Sequence, residues 1–214
     1  LAYVLGEWDF WGLTLKLQQG VLIPRADTEC LVEAVLARCD SKAELRVLDC
    51  GTGCGAVALA LATECPSWFV QGVDKQPACV TCAKENAQHL GLSATQIVFV
   101  ESDWEALTLD DHARFDVLVA NPPYIAEDDL EVDQQVHRHE PHEALYSPDS
   151  GYAHLLSLMT LAQKIVRRGG QVFFEHGYQQ GAGVRAALQQ HGFVSVTTRN
   201  DYSGKERVTV ASLP

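Results

Sequence analysis

The sequence has no run of 18 apolar residues, so no segment reads as a membrane-spanning helix. Its opening residues lack the charged region, apolar stretch and small-residue cleavage site of a secretory signal, and a soluble, cytoplasmic protein is the expectation. Basic residues are in deficit: 16 Lys and Arg stand against 28 Asp and Glu, a net charge of -12. A chain this acidic has no general attraction for a phosphate backbone, which argues against direct nucleic-acid binding. A disulfide framework is missing as well. Cys30, Cys39, Cys50, Cys54, Cys65, Cys79 and Cys82 are odd in number and unpaired in spacing, as suits reduced thiols. Cys79 and Cys82 have no second pair and fall in a helical stretch, which makes them packing residues. Internal repeats and low-complexity tracts are absent. The chain opens on Leu1 and runs straight into strand-like sequence, so a preceding segment is expected.

What is present is enough for one compact domain: 214 residues, 47% of them hydrophobic, bury about 70% of the unfolded surface at this size. A monomer is the default. Alternation of apolar and polar residues from Leu13 to Leu17, with Gly6 and Gly12 as punctuation, predicts a small hairpin. Residues 1–26 thus read as linker and hairpin, and 27–214 as the main domain. Asp27, Thr28 and Glu29 ahead of Leu31, Val32, Val35 and Leu36 predict a capped helix ending near Asp40. Strands are expected over 46–50, 69–74, 97–101, 115–120, 171–175, 194–199 and 207–211, and helices over 55–64, 77–90, 152–166 and 180–190, with Gly91, Gly169 and Gly192 as stops. This is the pattern of an α/β fold, a seven-stranded mainly parallel sheet covered on both faces. The last two strands have no helix between them and predict an antiparallel edge hairpin. Residues 122–151 form the one long irregular stretch, and such loops are usually functional.

Asp49, Cys50, Gly51, Thr52, Gly53, Cys54 and Gly55 read as a strand end, a glycine turn and a helix start. Glycines let a ligand approach the backbone closely. The spacing is G-x-G-x-G, one residue short of the dinucleotide fingerprint, which disfavours a pyrophosphate ligand. The next strand ends on Asp74, where a carboxylate can accept both hydroxyls of a ribose. After the third strand, Asp103 offers a carboxylate for an exocyclic amine and Trp104 an aromatic face for a purine. The plainer alternatives are glycines that only permit tight packing, an Asp74 that caps a helix, and a core Trp104 beside a capping Asp103.

Asn121, Pro122, Pro123 and Tyr124 stand directly after the fourth strand, on the same carboxyl edge as the glycine loop. Two prolines fix φ and remove donors, leaving the Asn121 amide and the Pro122 carbonyl free to hold a ligand. An amide or conjugated amine is a weak nucleophile because its lone pair is spread into the π system. Hydrogen bonds from its N–H groups to the Asn121 oxygen and Pro122 carbonyl would orient the nitrogen towards an electrophile and stabilise developing positive charge. Tyr124 would pack on the flat face of the acceptor. An ordinary proline turn would need none of this.

With these residues in hand, the chain resembles the release-factor glutamine methyltransferase family over nearly its whole length. Ile23, Pro24, Arg25, Ala26, Asp27, Thr28 and Glu29 are similar to the family's segment ahead of the core, with Ala26 where a second proline is usual. Arg138, His139, Glu140 and Pro141 resemble its Arg-Phe-Glu-Pro, and residues 201–208 its closing hairpin. The resemblance implies a Rossmann-like class I methyltransferase fold, S-adenosylmethionine as cofactor, and a substrate glutamine in the Gly-Gly-Gln tripeptide of peptide chain release factors. It implies cofactor contacts from Gly51, Thr52, Gly53, Cys54, Gly55, Asp74, Trp104 and Asn121, to which the reading of the residues above adds Asp103. It implies catalysis by Asn121, Pro122 and Tyr124, with Pro123 joining them at the glutamine. Family members also carry an N-terminal helical domain that this sequence lacks. Asn-Pro-Pro-Tyr itself is shared with enzymes that methylate amino groups of nucleic-acid bases or a ribosomal-protein glutamine, so the flanking segments carry the narrower reading.

Three signals point elsewhere and are set aside. His137, His139, Glu140, His142 and Glu143 crowd together, but the spacing is not H-E-x-x-H and Pro141 would break the helix a metal site needs, so no metal is expected. Gly169, Gly170 and Gln171 reproduce the target tripeptide within this chain, yet they read as a turn between helix and strand. His176, at the end of the fifth strand, either lines the site or caps it.

Overall fold

The computed structural model describes residues 2–107, 114–126 and 140–214. After a helical turn α1 (Ala2–Leu5), strands β1 (Glu7–Phe10) and β2 (Leu13–Lys16) form the small hairpin, with Trp8 opposite Leu15. Helix α2 (Glu29–Leu36) follows a 3-10 turn, Ala26–Thr28. Then come β3 (Arg46–Cys50), α3 (Ala56–Glu64), β4 (Phe69–Asp74), α4 (Pro77–His89), β5 (Ile97–Glu101) and β6 (Phe115–Ala120). A short parallel pair, β7 (Ile125–Ala126) with β8 (Tyr146–Ser147), precedes α5 (Ala153–Ile165) and β9 (Val166–Glu175). The chain finishes with α6 (Gly181–Gln190), β10 (Val194–Asn200) and β11 (Glu206–Ser212).

Seven strands make one sheet in the order β10-β11-β9-β6-β3-β4-β5. β3, β4, β5, β6 and β9 pair in parallel, and β11 runs antiparallel to both β9 and β10. Successive residues alternate faces. Val47, Val117 and Val119 join an apolar cluster with α2, α3 and α4, while Leu48, Leu118 and Ala120 join a second with α5 and α6. Phe10, Leu15 and Leu17 of the hairpin segment are buried in the first cluster. Every residue of α3 from Ala56 to Ala62 is buried, which explains its near-continuous Ala, Val and Leu content. From β3 the chain steps outward to β5 and returns to β6 on the other side. The carboxyl ends of β3 and β6 therefore flank the point where strand order reverses, the place such sheets bind ligands.

Two expectations need correcting. The strand expected at 171–175 begins at Val166, so Gly169 does not stop a helix and Gly169-Gly170 is not a helix-to-strand turn. These residues sit inside β9 at a register shift against β6, where Gly169 N–H donates to Leu213 O (2.8 Å) and Leu213 N–H to Gly170 O (2.9 Å). The helix expected from Asp27 to Asp40 covers only Glu29–Leu36, and its entry carries no side-chain cap. Asp27 is drawn into an ion pair with Arg207 (3.3 Å) and Thr28 into a hydrogen bond with Asn121 (3.1 Å). Tertiary partners have taken the two capping side chains.

Candidate active site

The β3–α3 turn is shaped by its glycines and by bonds to the neighbouring strand. Gly51 and Thr52 N–H both donate to Val73 O (2.9 and 3.0 Å), and Gly53 N–H to Asp74 Oδ2 (2.9 Å). Gly53 holds φ +57° with open space where a side chain would stand, so its backbone is bare to the cavity. Gly55 serves differently. Its φ is +87°, and an added Cβ would meet Leu59 at 2.9 Å, Phe99 at 3.0 Å and Ala83 at 3.1 Å, so it lets α3 seat against the sheet. Asp49 and Asp74 flank this turn, both nearly fully buried. Burial pushes the Asp49 carboxyl up to about 7, against a 2.7 Å hydrogen bond from Thr52 Oγ1, and raises Asp74 as well.

A cavity of about 480 Å³ opens here, lined by Gly51, Thr52, Gly53, Cys54, Asp74, Trp104, Asn121 and Pro123 among the anticipated residues. Trp104 is buried, with its ring edge-on to His154 (5.7 Å between centroids) and its Nε1–H directed to Ser157 (3.3 Å). Four anticipated residues, Gly55, Asp103, Pro122 and Tyr124, are not in that lining. Asp103 is exposed and its Oδ1 accepts from Glu105 N–H (3.0 Å), the capping arrangement that its sequence position also allowed.

Asn121 closes β6 with its Nδ2–H donating to Thr28 Oγ1 (3.1 Å), while its side-chain oxygen takes no bond from the described residues. Tyr124 is tied down from two sides. Its hydroxyl donates to Glu175 Oε1 (3.3 Å), and its carbonyl accepts from Gln180 Nε2 (3.1 Å). Gly151 packs behind it so closely that an added Cβ would lie 2.2 Å from Tyr124 O. The preceding Asp149 and Ser150 hold left-handed backbone at φ +53° and +54°, a strained turn pressed against the acceptor loop.

The flanking segments meet over the cavity. Arg25 Nη2 pairs with buried Glu140 Oε1 (2.5 Å), and Ile23 N–H reaches the other oxygen (3.4 Å). Residues 141–144 line the cavity, and Glu143 bonds Gln76 (2.5 Å) and approaches Lys75 (3.9 Å) on the opposite wall. Glu29 instead accepts from Trp11 N–H (2.9 Å), bracing the hairpin. His176 lies fully buried away from the cavity, bonded to Thr209 Oγ1 (2.8 Å) and Gly177 O (2.9 Å), with burial lowering its basicity. Sequence reasoning passed over the Asp49 side chain, Lys75, Gln76 and His154 as lining residues. The first three adjoin assigned positions, but His154 carries no motif at all. All seven cysteines are free thiols, six of them buried. Among the described residues no His, Cys, Asp and Glu cluster suits a metal ion, and no helix is long and apolar enough to cross a membrane; His137, Arg138 and His139 lie outside the described residues.

Residues 26–140 match the family model for the methyltransferase small domain. The chain is 42% identical to the release factor glutamine methyltransferases of Vibrio cholerae, covering 98% of this chain and 72% of that protein, and of Escherichia coli K12, covering 98% and 74%. Solved structures show the same fold. A 16S rRNA methyltransferase of T. thermophilus in complex with AdoMet and guanosine superposes with a TM-score of 0.69 at 22% identity, over 97% of this chain and 50% of that one. The ribosomal protein L11 methylase of Lactobacillus delbrueckii subsp. bulgaricus gives 0.66 at 24% identity, over 93% and 84%. On sequence and fold together, the chain belongs to the release factor glutamine methyltransferases, enzymes that depend on S-adenosylmethionine.

Proposed function

We propose that this protein methylates the side-chain amide nitrogen of the glutamine in the Gly-Gly-Gln tripeptide of peptide chain release factors, with Asn121, Pro122 and Tyr124 at the acceptor. The observation that carries the reading is the placing of Asn121. It stands at the strand-order reversal in the same cavity wall as Gly51, Gly53 and Asp74, with its amide nitrogen engaged by Thr28 and its oxygen left over.

The cofactor side fits S-adenosylmethionine. That molecule supplies a methyl on a positively charged sulfur, together with an ammonium and a ribose. Two buried carboxylates whose acidity is suppressed by desolvation welcome a cation, because its charge restores their ionised form. Asp74 spends one lone pair of each oxygen on Gly53 and Gln76 N–H (2.9 Å each) and keeps others for ribose hydroxyls. Trp104 offers a flat apolar wall to a purine. On the acceptor side, the Asn121 oxygen and the Pro122 carbonyl take the two N–H groups of the substrate amide. That hold would turn the nitrogen towards the methyl and stabilise the positive charge that grows on it as the N–C bond forms and the methyl's bond to sulfur breaks, leaving a neutral thioether, before one N–H proton is lost to water. Tyr124, locked through its hydroxyl and its carbonyl, keeps the loop in place.

The test is incubation of the full-length protein with labelled S-adenosylmethionine and a release factor or its Gln-to-Glu variant, with mass spectrometry locating the methyl. Label confined to the glutamine is expected. Equal labelling of both proteins, or labelling of bare RNA or DNA instead, overturns the assignment.

A further inference from the structure

Two buried polar atoms have no hydrogen bond of ordinary geometry among the described residues, and one of them is Glu175 Oε2. Glu175 ends β9 behind the acceptor loop and is 1% exposed. Its other oxygen takes the Tyr124 hydroxyl at 3.3 Å. The Thr28 hydroxyl stands beside the same carboxylate and favours its charged form. Thr28 Oγ1 also receives the Asn121 Nδ2–H at 3.1 Å. Thr28 therefore sits between a buried carboxylate and the side chain to which the acceptor is assigned.

A hydroxyl carries a single proton. If that proton points to the Glu175 carboxylate, Thr28 offers Asn121 only an acceptor, so Asn121 must turn its NH₂ to Thr28 and its oxygen to the cavity. We propose that Glu175 is a positioning residue which, through the direction of the Thr28 hydroxyl, fixes the end of the Asn121 amide that faces the substrate nitrogen. The inference rests on the acceptor role given to Asn121 above. An uncharged side chain of the same shape would reverse the chain of bonds. A glutamine amide or a protonated carboxyl donates to Thr28, the hydroxyl proton turns to Asn121 Oδ1, and the Asn121 NH₂ then confronts the substrate N–H, donor against donor.

The groups facing Glu175 are Thr28 and Asp27 ahead of α2, Tyr124 from the acceptor loop and Arg207 from β11, which in turn pairs with Asp201 (3.0 Å). The adjacent His176 faces Thr209 instead. Burial raises the Glu175 carboxyl to about 7, against the pull of Thr28, Arg207 and Tyr124. The charged, correctly directed form thus gains population as pH rises through neutrality.

The experiment measures kcat, KM for the release factor and cofactor Kd in full-length protein carrying Glu175→Gln, Thr28→Val, Thr28→Ser or Asn121→Ala. Saturating cofactor keeps Asp49, which titrates in the same range, out of the kcat profile. Glu175→Gln should lower kcat by about 10- to 100-fold, leave cofactor Kd within about 2-fold, and flatten the rise of kcat with pH. Thr28→Val should lower kcat similarly, and Thr28→Ser, which keeps the hydroxyl, should recover turnover relative to it. That pair carries the test if Glu175→Gln does not fold. Thr28→Val at normal turnover, or Glu175→Gln with an unchanged pH profile, overturns the inference. If Asn121→Ala also turns over normally, the acceptor assignment itself has failed; if only Asn121→Ala is impaired, the assignment stands and the relay falls.

Discussion

Around Gly51 and Gly53 the cavity wall is backbone, bonded to positions at the end of the next strand. Around Asn121 it is side chain, oriented by Thr28 and backed by Glu175 and Tyr124 from separate parts of the chain. The contrast teaches how each half fails. A backbone wall holds its shape through conformation and packing, so it is damaged by added bulk. A side-chain wall holds its shape through the direction of hydrogen bonds, so it is damaged by changes that alter no volume.

The sharpest way to break this comparison is Asn121→Ala. Turnover should fall by about 10²- to 10³-fold with cofactor Kd nearly unchanged, since the lost acceptor acts chiefly on the charge that develops during transfer; isothermal titration beside steady-state kinetics separates the two. Asp74→Asn should do the opposite. Cofactor affinity is expected to drop by about 10- to 100-fold, the weight of hydrogen bonds to a charged group, while kcat at saturating cofactor stays within several-fold of normal. Gly55→Ala tests whether the third glycine serves packing rather than the ligand. Its positive φ and tight neighbours predict a loss of about 1–3 kcal/mol in stability by denaturant melts, with little change in affinity for the protein that remains folded.

Titration offers a smaller effect with a defined sign. Burial raises the pKa of both Asp49 and Asp74 in the free protein, and Asp49, at about 7, is partly neutral below that pH and charged above it. A cationic cofactor prefers the charged forms. Its Kd should therefore fall as pH rises from about 6 to about 8, and Asp49→Asn should remove most of the slope. Without ligand the linkage runs the other way: Asp49 binds its proton more tightly when folded, so its contribution to stability is full below about pH 3.8 and is lost as pH rises through about 7. The least effect is expected from Glu143→Ala across the mouth of the cavity. Glu143 and Lys75 are both exposed, and such pairs contribute about 0–1 kcal/mol, visible as at most a few-fold change in cofactor off-rate.

Much of this was legible in the sequence because local signals and tertiary demands agreed. β3, β4, β5 and β6 have the bounds that their apolar runs predict, and in β3 and β6 near-continuous burial leaves little ambiguity about where the strand ends. Legibility failed where the two levels conflict. Asp27 and Thr28 spell a helix cap, and long-range partners claimed both side chains. Gly169 and Gly170 look like a turn, and pairing with Leu213 after the last strand drew them into β9. In the site, Gly51, Gly53 and Asp74 are visible because backbone shape leaves a spaced pattern. Glu175 and His154 are not, because a buried carboxylate at a strand end and a ring beside Trp104 acquire meaning only from what packs against them.

The two walls also differ in when they close. Gly53 meets Asp74 across a separation of 21 residues, and Asn121 meets Thr28 across 93. The longer loop costs about 1.3 kcal/mol more entropy to close, just over two doublings in length, before its bond returns anything. The Arg25–Glu140 clasp spans 115 residues and is later still on the same scale. On this scale the Gly53–Asp74 cradle is the least costly of the three to close, the Asn121–Thr28 corner the next, and the clasp above them the most costly.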